Sequence, residues 1–159
     1  ELPNLEQLKG FAGILSDHRR LPSTFVRDII MKNPSEDVMN ALARSVLALF
    51  SFDPNAEDTS IPNVIRQCLQ LIAQFPLLTV YSYQAYRHYK EGGSLVIHQP
   101  KGHMGTAETI LHLLRDDTKF TKFEARVLDL CLILHADHGG GNNSTFTNRV
   151  VTSTHTDTY

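Results

Sequence analysis

The chain has 159 residues, a formal net charge of −2 at pH 7 and a hydrophobic content of 42%. This length and composition suit one domain with a sizeable core, and the nearly balanced charge gives no basic footprint for nucleic acid or an anionic membrane. The longest apolar run, Leu130 to Leu134, is too short to span a bilayer. We therefore expect a cytoplasmic protein that binds neither nucleic acid nor membrane.

The first fifty residues predict three helices, since apolar side chains recur at helical spacing. The first runs from Asn4, its expected N-cap, to about Arg19. Ser23 follows a proline and is positioned to cap the second helix. Asn33-Pro34-Ser35 separates the second helix from a third, which spans Val38 to Phe50.

A loop is predicted next, from Ser51 to Ser60, because polar residues and Pro54 dominate it. Pro62 then marks the first turn of a helix. Phe75-Pro76 predicts a boundary or kink, with an aromatic helix beyond it that ends at Gly92-Gly93. Ser94 to Gly105 reads as an extended connection.

A short helix from Thr106 to Leu114 precedes the strongest helix signal in the chain. Thr121-Lys122-Phe123-Glu124 forms a capping box, which predicts a helix from Thr121 to Ala136. That helix is apolar on nearly all sides, so we expect it to be buried in a domain centre or at an obligate subunit interface. Alternating strand patterns are almost absent, so the sequence predicts an all-α fold.

Polar residues and glycines cluster where this helix should end. His135, Asp137 and His138 come first, then Gly139-Gly140-Gly141, then Asn142. Three interpretations remain open from the residues alone. The cluster is a helix C-cap, a site for a small molecule with carboxylate or carbonyl groups, or a metal site completed by His155 and Asp157.

The same stretch, HADHGGGNNSTFTNRV, carries a family resemblance. It resembles the citrate synthase family, in the citrate/2-methylcitrate synthase superfamily, whose members carry an H-[AS]-[DE]-H-x-x-x-N signature. The likeness extends upstream to LPNLEQLKGFAGILSDHRRLPSTFVRDII, to ALARSVLALF before the DPNAED loop, and to Thr106–Leu111. It covers essentially the whole chain.

The resemblance implies a multi-helical large-domain segment, with residues 1–159 forming a partial domain truncated at both ends. It implies an acyltransferase of the citrate (Si)-synthase type, which condenses acetyl-CoA with oxaloacetate and water to give citrate and CoA. His138 and Asn142 would bind oxaloacetate, supported by His135, Asp137 and the three glycines Gly139, Gly140 and Gly141. It implies no metal and no cofactor, acetyl-CoA being a co-substrate, and a homodimer formed through Thr121 to His138.

The motifs that carry the family's main catalytic residues are not found in this sequence. The resemblance places a histidine in a G-P-x-H-G-G motif, another in a G-x-G-H motif and an aspartate beyond them, and neither motif occurs in this sequence. Because the reaction needs all these groups together, we expect the isolated chain to be inactive. Two alternatives are a 2-methylcitrate synthase that uses propionyl-CoA and a non-catalytic helical module that binds a dicarboxylate.

Overall fold

The computed structural model describes residues 2–136, 139 and 141–159. Over this part of the chain the fold contains helices and no strand, which confirms the all-α prediction. The helices are α1 (Leu5–His18), α2 (Ser23–Phe25, continuing as a π-helix over Val26–Met31), α3 (Val38–Leu49, followed by a 3-10 turn over Phe50–Phe52), α4 (Ile61–Glu91), α5 (Thr106–Leu114), α6 (Lys122–Ala136) and α7 (Asn143–Thr152). None of them combines the length and hydropathy needed to cross a bilayer.

Helix α4 is the centre of the fold, and α1, α3, α5 and the π-helical part of α2 all pack against it. Its second half contributes Leu77 and Leu78 to the core, where they meet Phe25 and Leu113. All four side chains are at most 1% exposed. Burial of this apolar surface supplies most of the free energy that holds the helices together.

Of the two alternatives predicted at Phe75-Pro76, the boundary is wrong, because α4 continues through Pro76 as one 31-residue helix. A kink there stays a prediction. A proline inside a helix removes one hydrogen bond and disfavours the preceding turn. Here Pro76 is itself buried, and Leu77 and Leu78 directly after it are core residues. Tertiary packing on both sides of the proline therefore outweighs its local cost.

Most of the predicted helix ends are confirmed. Asn4 caps α1, its Oδ1 accepting the backbone N–H of Gln7 at 2.9 Å. Thr121 and Glu124 form the predicted capping box of α6. The pKa of Glu124 is lowered to about 2, mainly by the hydrogen bond from Arg115 and next by those from Thr121. The prediction for Ser23 is wrong, because it is the first helical residue of α2 and Pro22 occupies the cap position.

Helix α6 is not buried within the described part of the chain. Ala125 is its only buried residue there, and Leu134 is 74% exposed. Burial in the domain centre is therefore wrong for this chain, since only α5 packs along α6. The expectation of a subunit interface stays a prediction.

One small stability prediction arises from the turn between α5 and α6. Thr118 has φ +59°, and a β-branched residue is strained in this left-handed region. Replacing Thr118 with glycine should stabilise the protein by about 0.5–1 kcal/mol, since the relief of strain exceeds the added chain entropy. Urea unfolding measures the change, with Thr59→Gly, in an exposed loop without positive φ, as a control that should lose stability. A loss for Thr118→Gly would contradict the prediction.

Candidate functional site

The candidate site begins at the last turn of α6. His135 Nδ1 lies 2.9 Å from the carbonyl oxygen of Cys131, so Nδ1–H donates to the preceding helical turn. This contact satisfies a carbonyl group near the helix end, which is a structural role. The imidazole ring is exposed. Asp137, His138 and Gly140 lie outside the described residues, so their predicted roles stay predictions.

The turn between α6 and α7 is closed by a backbone hydrogen bond. The N–H of Asn142 donates to the carbonyl oxygen of Gly139 at 3.0 Å. Neither Gly139 nor Gly141 has φ in the left-handed region, and a Cβ at either position would meet no described atom within 4 Å. The described protein atoms therefore do not require glycine there, which leaves close approach of a ligand to the backbone as the predicted reason.

Asn142 has a structural role that the sequence analysis did not assign. It is the N-cap of α7, and its Oδ1 accepts the backbone N–H groups of Ser144 at 2.9 Å and Thr145 at 3.1 Å. These two contacts identify which amide atom is oxygen. Because Oδ1 is occupied, Nδ2 is the part of the side chain that remains to bind a ligand, and it can only donate.

The electrostatics of this corner favour an anion. Asn142 stands at the N-terminus of α7, where the aligned peptide dipoles give a partial positive charge. Its amide Nδ2, which donates to no atom of the described residues, adds to the same preference. The arrangement can therefore bind and orient a carboxylate. The predicted role of Asn142 and the glycines in a substrate site stays a prediction.

Helix α7 itself was not predicted from the sequence, which placed Asn142 in a polar cluster after the glycines. Asn142 is a strong capping residue, and Phe146 and Val150 follow it at helical spacing. These signals were sufficient to predict the helix. Its discovery changes the site, because Asn142 now belongs to a helix end and not to a loop.

A second polar cluster was also missed, and it lies at the other end of the α7 segment. Tyr159 donates its hydroxyl to Asp53 Oδ2 at 2.7 Å, and Thr158 donates to Gln67 Oε1 at 2.5 Å. Asp53 and Gln67 are 8% and 0% exposed. The available signal was Gln67, a polar residue between the apolar residues Val64 and Leu71, with which it shares one side of a helix.

The Asp53 carboxyl stays ionised despite its burial. Burial raises its pKa, but hydrogen bonds from Arg66, the backbone N–H of Asn55, Tyr159 and Gln67 outweigh this effect and hold the pKa well below the ordinary value. Burial, then the hydrogen bond to Asp53, raises the pKa of Tyr159. The tyrosine therefore remains a hydroxyl donor at every pH near neutrality.

Comparisons with known proteins place the whole chain in one group of relatives. The family described as "Citrate synthase, C-terminal domain" matches residues 1–159. A citrate synthase of Deinococcus radiodurans is 34% identical over 160 residues, which cover 100% of this chain and 40% of that protein. A 2-methylcitrate synthase of Corynebacterium glutamicum is 28% identical over 163 residues, covering 100% of this chain and 41% of that protein.

A solved structure shows the same arrangement of helices. The crystal structure of citrate synthase from Pyrobaculum aerophilum superimposes with a TM-score of 0.83 at 26% sequence identity. The match covers 100% of this chain and 40% of that one. This chain thus spans about 40% of the length of the relatives it matches.

Proposed function

The chain belongs to the citrate synthase family, and we propose that the full-length protein condenses acetyl-CoA with oxaloacetate and water to give citrate and CoA. The observation that supports this most directly is the donor set at Asn142, which matches a dicarboxylate substrate. Its amide Nδ2 and the N-terminus of α7 both favour a carboxylate group.

In this proposal the corner around Asn142 binds and orients oxaloacetate. Asn142 Nδ2 donates to a substrate carboxylate, and His138, predicted from the family signature, provides a second hydrogen bond. Fixing the dicarboxylate presents its ketone carbon to the incoming carbon nucleophile derived from acetyl-CoA, which lowers the entropic part of the barrier. The new carbon–carbon bond forms there, and hydrolysis of the thioester then releases CoA.

The proton-transfer groups of the reaction do not come from the site described above. The resemblance assigns them to two further histidines and an aspartate whose histidine motifs are absent from these 159 residues. General acid–base catalysis requires such groups within hydrogen-bond reach of the reacting atoms. We therefore propose that a polypeptide of these 159 residues alone does not catalyse the condensation of acetyl-CoA with oxaloacetate.

An assay of CoA release tests the proposed function. Full-length protein is mixed with acetyl-CoA and oxaloacetate, and free CoA is followed with a thiol reagent. We expect release that requires both substrates and falls at least about tenfold in His138→Ala, the expected loss for one hydrogen bond to a charged substrate. Absence of CoA release from the full-length protein, together with no binding of oxaloacetate in calorimetry, would reject the proposal. Binding without release would support the non-catalytic dicarboxylate module.

The similarity to a 2-methylcitrate synthase supports one second candidate, in which propionyl-CoA is the preferred acyl donor. The two substrates differ by one methylene group, which apolar pockets discriminate by only about 1–3 kcal/mol. The ratio of kcat/KM for acetyl-CoA and propionyl-CoA decides between the two activities. A ratio above one supports citrate synthase, and a ratio below one supports the alternative.

We also propose that the exposed apolar surface of α6 is a homodimer interface. Ile133 is 58% exposed and lies among the apolar residues Val127, Leu130 and Leu134. Large apolar patches of this kind mark association surfaces.

The cytoplasmic location stays a prediction.

Ile133→Glu should convert the full-length dimer to monomers in sedimentation velocity experiments, because a desolvated carboxylate cannot be accommodated in an apolar interface. Ile65 on α4 is a matched control, since it is 54% exposed and lies outside the proposed interface. Ile65→Glu should remain dimeric. A monomeric wild-type protein, or a dimer that survives Ile133→Glu, would contradict the proposal.

A further inference from the structure

Helix α7 carries Asn142 but has little to hold it in place. In the described part of the chain none of its residues is buried, and no other helix packs along it. At its N-terminal end it is joined to α6 by the glycine turn. A helix with so few buried contacts opens easily unless something else fixes it.

The chain after α7 is tightly hydrogen-bonded to the helix as far as His155. The N–H groups of Ser153, Thr154 and His155 donate to the carbonyl oxygens of Arg149, Val151 and Thr152, respectively. His155 then adopts φ +59°, a left-handed conformation that redirects the chain. Residues 143–155 therefore form one hydrogen-bonded unit, and residues 157–159 lead the chain away from it.

Those last residues are bound to α4 and to the loop before it. Thr158 and Tyr159 donate their hydroxyls to Gln67 and Asp53, and Gln67 Nε2 donates to Asp53 Oδ2 at 3.1 Å. Arg66 Nη2 donates to the same oxygen at 2.6 Å. We call this set of Asp53, Arg66, Gln67, Thr158 and Tyr159 the latch.

The latch fixes the orientation of the Asp53 carboxylate. Three donors converge on Oδ2 of Asp53, and the backbone N–H of Asn55 donates to Oδ1 at 3.0 Å. A buried carboxylate surrounded by donors is fixed in orientation, because turning it would leave these groups unsatisfied. The latch therefore specifies where Tyr159 can lie.

We propose that Tyr159 and Thr158 are positioning residues that hold α7, and hence the amide of Asn142, in the orientation that binds oxaloacetate. Helix α7 has ten residues and is about 15 Å long. Once the latch fixes its C-terminal end, an intact helix of that length keeps its N-terminal end, and with it Asn142, in a defined position. The inference rests on the proposed function, and it adds that the substrate site depends on the latch, which holds the far end of the helix segment on the buried side chains of Asp53 and Gln67.

Tyr159→Phe in the full-length protein tests the latch, because it removes one hydroxyl and keeps the ring. The control is Tyr81→Phe, since Tyr81 also donates its hydroxyl within the protein, to the carbonyl oxygen of His98 at 2.7 Å. Tyr81 is buried and Tyr159 half-buried, so the control loses a hydroxyl that is at least as well enclosed. We expect Tyr159→Phe to raise the Kd for oxaloacetate about five- to tenfold in calorimetry, within the range for residues that act through others. Tyr81→Phe should change it less than about twofold, even where the two variants lose similar thermal stability.

Amide hydrogen exchange of residues 143–152 is the second readout and needs no substrate. Faster exchange there in Tyr159→Phe, with no change in Tyr81→Phe, is expected. Should Tyr159→Phe fail to fold, Thr158→Val removes the other latch hydroxyl and serves in its place. Equal Kd values for the two tyrosine variants, or faster exchange without any change in Kd, would overturn the positioning role.

The two hypotheses fail in different ways. A wild-type protein that neither binds oxaloacetate nor releases CoA contradicts the proposed function, whereas the exchange comparison still measures the latch. Unchanged exchange of α7 in Tyr159→Phe contradicts the latch, even if the wild-type protein is an active synthase.

Discussion

Asn142→Asp is expected to weaken oxaloacetate binding by the full-length protein about 100-fold or more while α7 remains capped. Aspartate caps helices as well as asparagine does, so Ser144 and Thr145 keep an acceptor for their N–H groups. The free Nδ2 donor is replaced by a charged oxygen that faces the substrate. Losing a hydrogen bond to a charged group costs about 1.5–3 kcal/mol, and repulsion between two carboxylates adds about 1–4 kcal/mol.

Two further variants separate binding from capping. Asn143→Asp places the same charge one residue later, in the exposed first turn of α7, and should affect the Kd much less than Asn142→Asp. Asn142→Ser keeps the cap but shortens the donor, so we expect a loss of about tenfold. Calorimetry gives the Kd values, and circular dichroism checks the helix content. Equal losses for Asn142→Asp and Asn143→Asp would show a general charge effect and refute a specific role for Asn142.

The parts of the fold that local signals specify were predictable. Asn4 and the pair Thr121/Glu124 cap helices because their side chains reach N–H groups only a few residues away. Pro62 lies in the first turn of α4 and Gly92 ends that helix with φ +72°. Each of these features depends on residues within one helical turn, which a sequence displays directly.

The features that were missed depend on residues distant in sequence. Pro76 continues a helix because core packing on both sides holds it, and the local preference alone predicts a break. Thr158 and Tyr159 contact residues 91 and 106 positions earlier. No spacing rule links such positions, so the latch could be found only in three dimensions.

The candidate site combines both kinds of feature. Its anion preference follows from Asn142 at a helix N-terminus, which is local, whereas its position depends on the latch, which is not. The sequence therefore predicted a ligand for this corner, whereas the contacts that hold the corner in place could be found only in the structure. The same division explains why Asn142 was predicted as a ligand and missed as a cap, since the helix that needs the cap was not predicted.

Asp53→Asn should be the most destabilising polar substitution considered, with a loss of about 3 kcal/mol at pH 7, given about 1.5–3 kcal/mol for each hydrogen bond to a charged group. All four groups that contact this carboxylate are donors, three on Oδ2 and one on Oδ1. An asparagine amide presents one NH₂ group, which must face donors on one side or the other. At least one buried donor then lacks an acceptor, and Arg66 loses its ion pair.

The pH dependence of this loss follows from the pKa of Asp53. Its folded pKa is depressed, so its contribution to stability is complete above the unfolded pKa of about 3.9. That contribution is lost as the pH falls from about 4 through the folded pKa, because protonation also puts a donor on the carboxyl. The free energies of unfolding of wild type and Asp53→Asn in urea should therefore differ by a constant amount above about pH 5, begin to converge near pH 4, and approach each other further as the pH falls toward the folded pKa.

Asp116 provides the control for this experiment, since its carboxylate is 61% exposed and lies 3.4 Å from Arg87. Exposed ion pairs contribute about 0–1 kcal/mol, so Asp116→Asn should change stability little at any pH. The comparison separates burial from charge, because both substitutions remove one negative charge that faces an arginine. A loss for Asp53→Asn no larger than that for Asp116→Asn would show that the donors around Asp53 are satisfied without its charge, and the latch would then lack its anchor.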